Sequence, residues 1–134
     1  MLISRLALRA SCALALPAHF ACSDPGPEEC DREVTLEVSV SAGKPTFDWV
    51  PDCSLHSLTV LDAADRSVWS IETPDDRNTL EPPVVYGEAP DGVLEHGPDA
   101  ILQAGVTYSV RVNWIDRSDG RVILRFGDER AFIP

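Results

Sequence analysis

Lysine is almost missing from this chain: Lys44 stands alone among 134 residues, beside ten arginines. Basic side chains of both kinds are outnumbered two to one, 11 against 22 acidic ones, and no basic patch with interleaved aromatics offsets them. Such a surface repels phosphate backbones, so nucleic acid is excluded as a partner. Histidine is scarce too, with three in all, and neither His56 nor His96 sits in a recognised nucleophile motif. Gly-x-Ser-x-Gly, a phosphate-binding loop and His-Glu-x-x-His are all lacking, so no acyl-transfer, nucleotide or zinc-hydrolase chemistry is written in the chain. A sustained 3.6-residue apolar period is missing beyond the first 22 residues, which leaves little room for helix. No apolar run reaches the roughly 20 residues a membrane-spanning helix needs. The reading is of a chain with no catalytic residues, no metal site and no cofactor.

What is present begins with a leader. Met1 to Arg9 is short and positively charged, Ala10 to Phe20 is mainly apolar, and a small residue, Ala21, follows. That order reads as an export signal. Ala21-Cys22, with polar Ser23-Asp24-Pro25-Gly26-Pro27 directly after it, resembles the cleavage site of bacterial lipoproteins. In that family the cysteine is acylated and becomes the new N-terminus. The resemblance implies a signal peptide over 1–21, a lipidated Cys22, and a place in the bacterial cell envelope. The competing reading is an ordinary cut after Leu16-Pro17-Ala18. That cut leaves three cysteines in an exported chain, whereas lipidation of Cys22 leaves two, Cys30 and Cys53. Residues 22–31 then form a polar tether reaching about 30 Å at most. Arg5 and Arg9 precede Cys22 and every acidic residue follows it, so nine basic side chains face 22 acidic ones there, a net charge of −13. Solubility and low self-association are the plain consequence.

Residues 32–134 are long enough for one domain and too short for two. Val34, Leu36, Val38 and Val40 alternate with polar residues, Gly43 supplies a turn, and Phe47 and Trp49 alternate again before Pro51. Leu58 and Val60 make a third strand, Arg66 to Glu72 a fourth, and Val84 to Tyr86 a fifth that starts late because Pro82 and Pro83 cannot donate to a ladder. Residues 88–99 are rich in turn-formers and read as irregular. Tyr108, Val110, Val112 and Trp114 lie two apart in a sixth strand. Asp119-Gly120 signals a two-residue type I′ hairpin, and Val122, Leu124 and Phe126 share one face of a seventh strand, bulged at Gly127. Folding the first two strands back at Gly43 brings Cys30 within a residue or two of Cys53, close enough for a disulfide. Closing that loop of roughly 22 residues stabilises the domain by about 3 kcal/mol in the chain-entropy model. The rival use of Cys53 and His56, as metal ligands with Cys30 and His96, lacks the paired spacing such sites show.

Leu102, Gly105 and Tyr108, leading into an alternating strand, resemble the tyrosine corner of Greek-key sandwiches. The stretch is similar to strand F of an immunoglobulin-like or fibronectin type III domain, and Pro45 to Pro51, with Trp49, is similar to strand B of the latter. The resemblance implies a seven-stranded antiparallel Greek-key β-sandwich, with Trp49, Leu102, Gly105 and Tyr108 as structural core. Strands one, two and five form one sheet and the other four the second. Trp49-Val50-Pro51-Asp52-Cys53, Val68-Trp69-Ser70-Ile71 and Pro83-Val84-Val85-Tyr86-Gly87 also resemble small bacterial lipoproteins.

The functional expectation is a non-catalytic, membrane-anchored envelope protein with a structural or protein-interaction role. Its partners are the membrane, through the N-terminal lipid, and an envelope protein or glycan. The alternative is a ligand-binding module for carbohydrate or calcium. Its acids would come from Glu28-Glu29-Asp31, Asp62-Asp65, Asp75-Asp76 or Asp116-Asp119, and its aromatics from Tyr86 and Trp69. The 88–99 loop and the outer side of the Trp69 strand are the places for a contact.

Overall fold

Ala42 and Gly43 both take positive φ, 50° and 76°, and the strands they join meet at Ser41 and Lys44. Positive φ at both central residues is what a two-residue type I′ turn demands, and its twist matches that of the strands. β1 (Thr35–Ser41) and β2 (Lys44–Val50) therefore run back on each other, burying Leu36 from one and Phe47 and Trp49 from the other. The computed structural model describes residues 26–97 and 100–134; the expected leader and Cys22 lie outside the described residues.

The chain continues through β3 (Ser57–Leu61), β4 (Ser67–Glu72), β5 (Val84–Val85), β6 (Leu94–His96), β7 (Tyr108–Asp116) and β8 (Ile123–Phe132). These form two antiparallel sheets, β1-β2-β5 and β6-β4-β3-β7-β8. Among the described residues the molecule is all-β, broadly a β-sandwich, with one core between the sheets. Phe47 meets Phe132 edge-on at 5.6 Å, and Phe132 stacks on Tyr108 at 6.0 Å. These contacts tie β2 to the β7–β8 pair across the layers.

Two expectations need correcting. The 88–99 segment is not wholly irregular, because Leu94–His96 pairs with β4 as an eighth strand at the sheet edge. Three residues are too few to show a period, so pairing rather than pattern defines this strand. The Asp119-Gly120 hairpin is not type I′ either: Gly120 has φ 69° but Asp119 does not join the positive-φ residues. Pairing stops at Asp116–Ile123, and Gly120 N–H donates to Arg117 O at 3.1 Å across a wider loop. The turn expected at Gly43 is the one that takes positive φ at both central residues, Ala42 and Gly43.

Gly127 carries the feature with the largest consequence. Tyr108 pairs Phe132 and Val112 pairs Asp128, but Asn113 then pairs Phe126, which leaves Gly127 as the extra residue of a β-bulge. A one-residue slip moves every side chain beyond it to the other face. Phe132 thus faces the core, while Leu124 and Phe126, of the same parity, face out. A Cβ on residue 127 would lie 3.1 Å from Val112 Cγ2, 3.1 Å from Val112 O and 3.4 Å from Val34 Cγ2. Beyond the bulge, Asp128 Oδ2 accepts the Leu36 N–H of β1 at 2.9 Å, a bond from one sheet to the other.

Gly127→Ala is expected to destabilise the domain by about 1–3 kcal/mol, since the added methyl crowds the Val112 carbonyl and side chain and makes the ladder there shift. A urea titration would read this as a lower midpoint with unchanged slope, and an unshifted midpoint would show that the bulge has room to spare.

Candidate functional site

The corner before β7 is built by glycine and by a phenol. Gly105 takes φ 77°, the Gln103 N–H donates to Tyr108 Oη at 3.1 Å, and Leu102 packs against the core half-buried. Trp49 is buried on β2, its indole N–H donating to Cys53 O at 2.7 Å. Cys53 is joined to Cys30 by a disulfide with a Cα separation of 5.0 Å. The stretch read as tether is not loose throughout. Cys30 N–H donates to Ser54 O, Ser54 N–H donates to Glu28 O, and Ser54 Oγ donates to Pro27 O. From Pro27 onward the chain is stitched to the domain.

The polar residues singled out from the sequence are engaged in holding turns. His56 Nδ1 lies 2.7 Å from Thr73 Oγ1, and Thr73 Oγ1 lies 2.6 Å from Arg77 O. A hydroxyl has one proton to give, so the Arg77 carbonyl takes it and the imidazole donates from Nδ1 to the hydroxyl oxygen. His56 is a loop fastener in this arrangement. His96 lies apart from it in the sheet, on β6 against Glu72 at 3.0 Å. Trp69 is fully buried against Tyr86 at 5.2 Å, with its N–H donating to Glu95 Oε1 at 2.7 Å, and Tyr86 Oη donates to Ala100 O at 2.7 Å. Both aromatics serve the core at the sandwich edge instead of presenting a contact face.

The acidic pairs do not converge. Among the described residues no group of three or more Asp, Glu, His or Cys side chains gathers as a metal centre. The Asp116 carboxylate accepts the N–H and hydroxyl of Ser118 and pairs with Arg125, which together hold its carboxyl below the ordinary carboxylate range. Asp62 is lowered likewise by the guanidinium and backbone N–H of Arg66 and the backbone N–H of Ala64. Each acid closes its own loop, as short polar side chains do in turns.

What the sequence reading missed lies at the start of β8. Leu124, Phe126 and Val122 are 58%, 55% and 54% exposed. Leu124 pairs with Ile115 and Phe126 with Asn113, on the outer face of the five-stranded sheet. Other exposed apolar residues, such as Val40, Val50 and Ile101, stand on other strands and loops; these three fall at alternate positions, Leu124 and Phe126 on the edge strand β8 and Val122 just ahead of it. The alternation gave the shared face correctly, and Gly127 marked the bulge. Carrying the slip through to the residues ahead of it would have turned the stripe outward.

The stripe adjoins the place where the chain joins the domain. Arg117 pairs with Glu29 at 3.2 Å, and a cleft of about 370 Å³ runs between Glu29, Cys30 and Trp114, Ile115, Asp116. Compared with known protein families, curated proteins and solved structures, the chain matches none.

Because both carboxyls sit lower folded than unfolded, each contributes stability that is complete above the ordinary carboxylate value of about 3.9 and lost as pH falls through the folded value. Unfolding midpoints followed from about pH 5 to pH 2 should therefore converge for the wild-type chain and an Asp62→Asn/Asp116→Asn variant, with the wild type ahead only at the upper end. A constant gap across that range would assign the difference to the lost geometry alone.

Proposed function

We propose that this chain is a non-catalytic protein of a bacterial cell envelope, held to a membrane by a lipid on Cys22. Its single domain, of the immunoglobulin-like or fibronectin type III kind, serves a structural or protein-interaction role. The outward apolar stripe of Val122, Leu124 and Phe126 carries the interaction part of this reading. Exposed apolar side chains gathered in one patch are a mark of contact surfaces. The phenol bond at Gln103–Tyr108 and the division of strands between the sheets support the fold assignment. A Cys30–Cys53 bridge supports export, since such bonds persist in oxidising compartments.

The anchor sets the working distance. Pro27 is already hydrogen-bonded to the domain through Ser54, and the four residues between it and Cys22 can reach at most about 14 Å. The domain then works against its own membrane and whatever shares that surface.

Unreduced mass spectrometry of the mature protein reads both the anchor and the bridge. The expected mass is Cys22 to Pro134 plus acyl chains, less two protons for the disulfide. A mature chain beginning elsewhere, or carrying an unmodified Cys22, would remove the membrane from this reading.

A further inference from the structure

Sheet edges are templates for another strand, and folded proteins blunt them. Three of the four edges here are blunted. β6 is three residues long, β5 is two and follows Pro82-Pro83, and β1 gives its Leu36 N–H to Asp128 and lies against the far half of β8. β8 is ten residues long and has β7 on one side, with no strand on the other among the described residues. Ahead of the Gly127 bulge, Ile123 to Phe126 carries no proline and no lysine. Its one charge, Arg125, is already paired with Asp116 at 3.0 Å.

We propose that this open half-strand pairs with the same half-strand of a second copy, making an antiparallel dimer with its two-fold axis at Leu124. The proposal deepens the interaction role given above and rests on it. The segment Val122-Ile123-Leu124-Arg125-Phe126 is self-complementary about its centre. Leu124 stands opposite Leu124 of the other copy, and Val122 opposite Phe126, which extends the apolar stripe across the join. On the reverse face Ile123 stands opposite Arg125, so no like charges meet. Aromatic and β-branched pairs of this sort are favourable across antiparallel strands. Shifting the register to centre on Arg125 sets two guanidinium groups against each other.

Charge selects the same surface. Residues 108–132 hold five basic and four acidic side chains, a net of +1, while the rest of the chain after Cys22 holds four and 18, a net of −14. Two copies approaching by the β7–β8 hairpin bring together a nearly neutral segment, whereas the rest of the chain carries the net negative charge. The pairing is isologous, so it uses up the open edge on both copies and closes at two. It also suits a short tether. Cys30 and Ile115 line one cleft, and Ile115 pairs with Leu124, so both chains join their domains beside the axis and both anchors reach one membrane.

The test uses the full chain purified in detergent. Light scattering on a sizing column should give twice the chain mass, and Leu124→Lys should raise the concentration for half-association by about tenfold or more with an unchanged circular-dichroism spectrum. Leu124→Cys should form a covalent dimer under mild oxidation, because directly opposed residues fall within disulfide reach. Ala131→Cys, beyond the bulge, should not exceed the wild-type background. A single-chain mass up to ~100 µM overturns the proposal, as does equal cross-linking at 124 and 131. Failure of the anchor reads separately: an unacylated Cys22 with an intact dimer leaves the pairing standing, and an acylated Cys22 on a monomer removes it.

Discussion

The carbonyl oxygen and one methyl of Val112 lie 3.1 Å from where a side chain at residue 127 would begin, with a methyl of Val34 at 3.4 Å behind them. Only glycine occupies that point without moving backbone. The ladder absorbs the extra residue there, and β8 changes which way it faces. Its later half closes the core through Phe132 and takes a backbone N–H from the other sheet through Asp128. Its earlier half turns the same parity of side chain to solvent. One crowded contact therefore separates the part of the strand that builds the sandwich from the part that meets the surroundings.

Most of the architecture was legible because half-buried strands must alternate, and these do. The pairing of Cys30 with Cys53 and the late start of β5 after two prolines followed from local chemistry, while the division into sheets was what the resemblance to Greek-key sandwiches implied. What was not legible had short or non-local causes. β6 is three residues whose strand character comes from pairing with Ser70, Ile71 and Glu72, so no window of sequence shows it. Asp119-Gly120 advertises a geometry it does not adopt, because pairing ends before it, at Asp116 and Ile123. The outward stripe escaped notice for a different reason: parity runs unbroken from Val122 to Phe132 in the sequence, and only the extra residue at 127 breaks it in space.

The polar residues show what an excess of carboxylates does in the loops. An excess of carboxylates suggested cation binding, yet Asp62 and Asp116 are each surrounded by donors from their own loops. His56 is likewise absorbed by Thr73 and Arg77. In a small sandwich the loops need such acceptors to satisfy their own N–H groups. The exposed apolar side chains of Leu124 and Phe126 lie instead on the strand edge that, among the described residues, is neither short, capped nor proline-bearing.

Hydroxyl-radical footprinting of the full chain, at a dilution where it is monomeric, tests the change of face at Gly127 most directly. Leu124 and Phe126 should oxidise readily while Phe132, six residues on and of the same parity, stays protected. Equal labelling of Phe126 and Phe132, or protection of Phe126 at every dilution, would contradict a strand that turns over at that glycine.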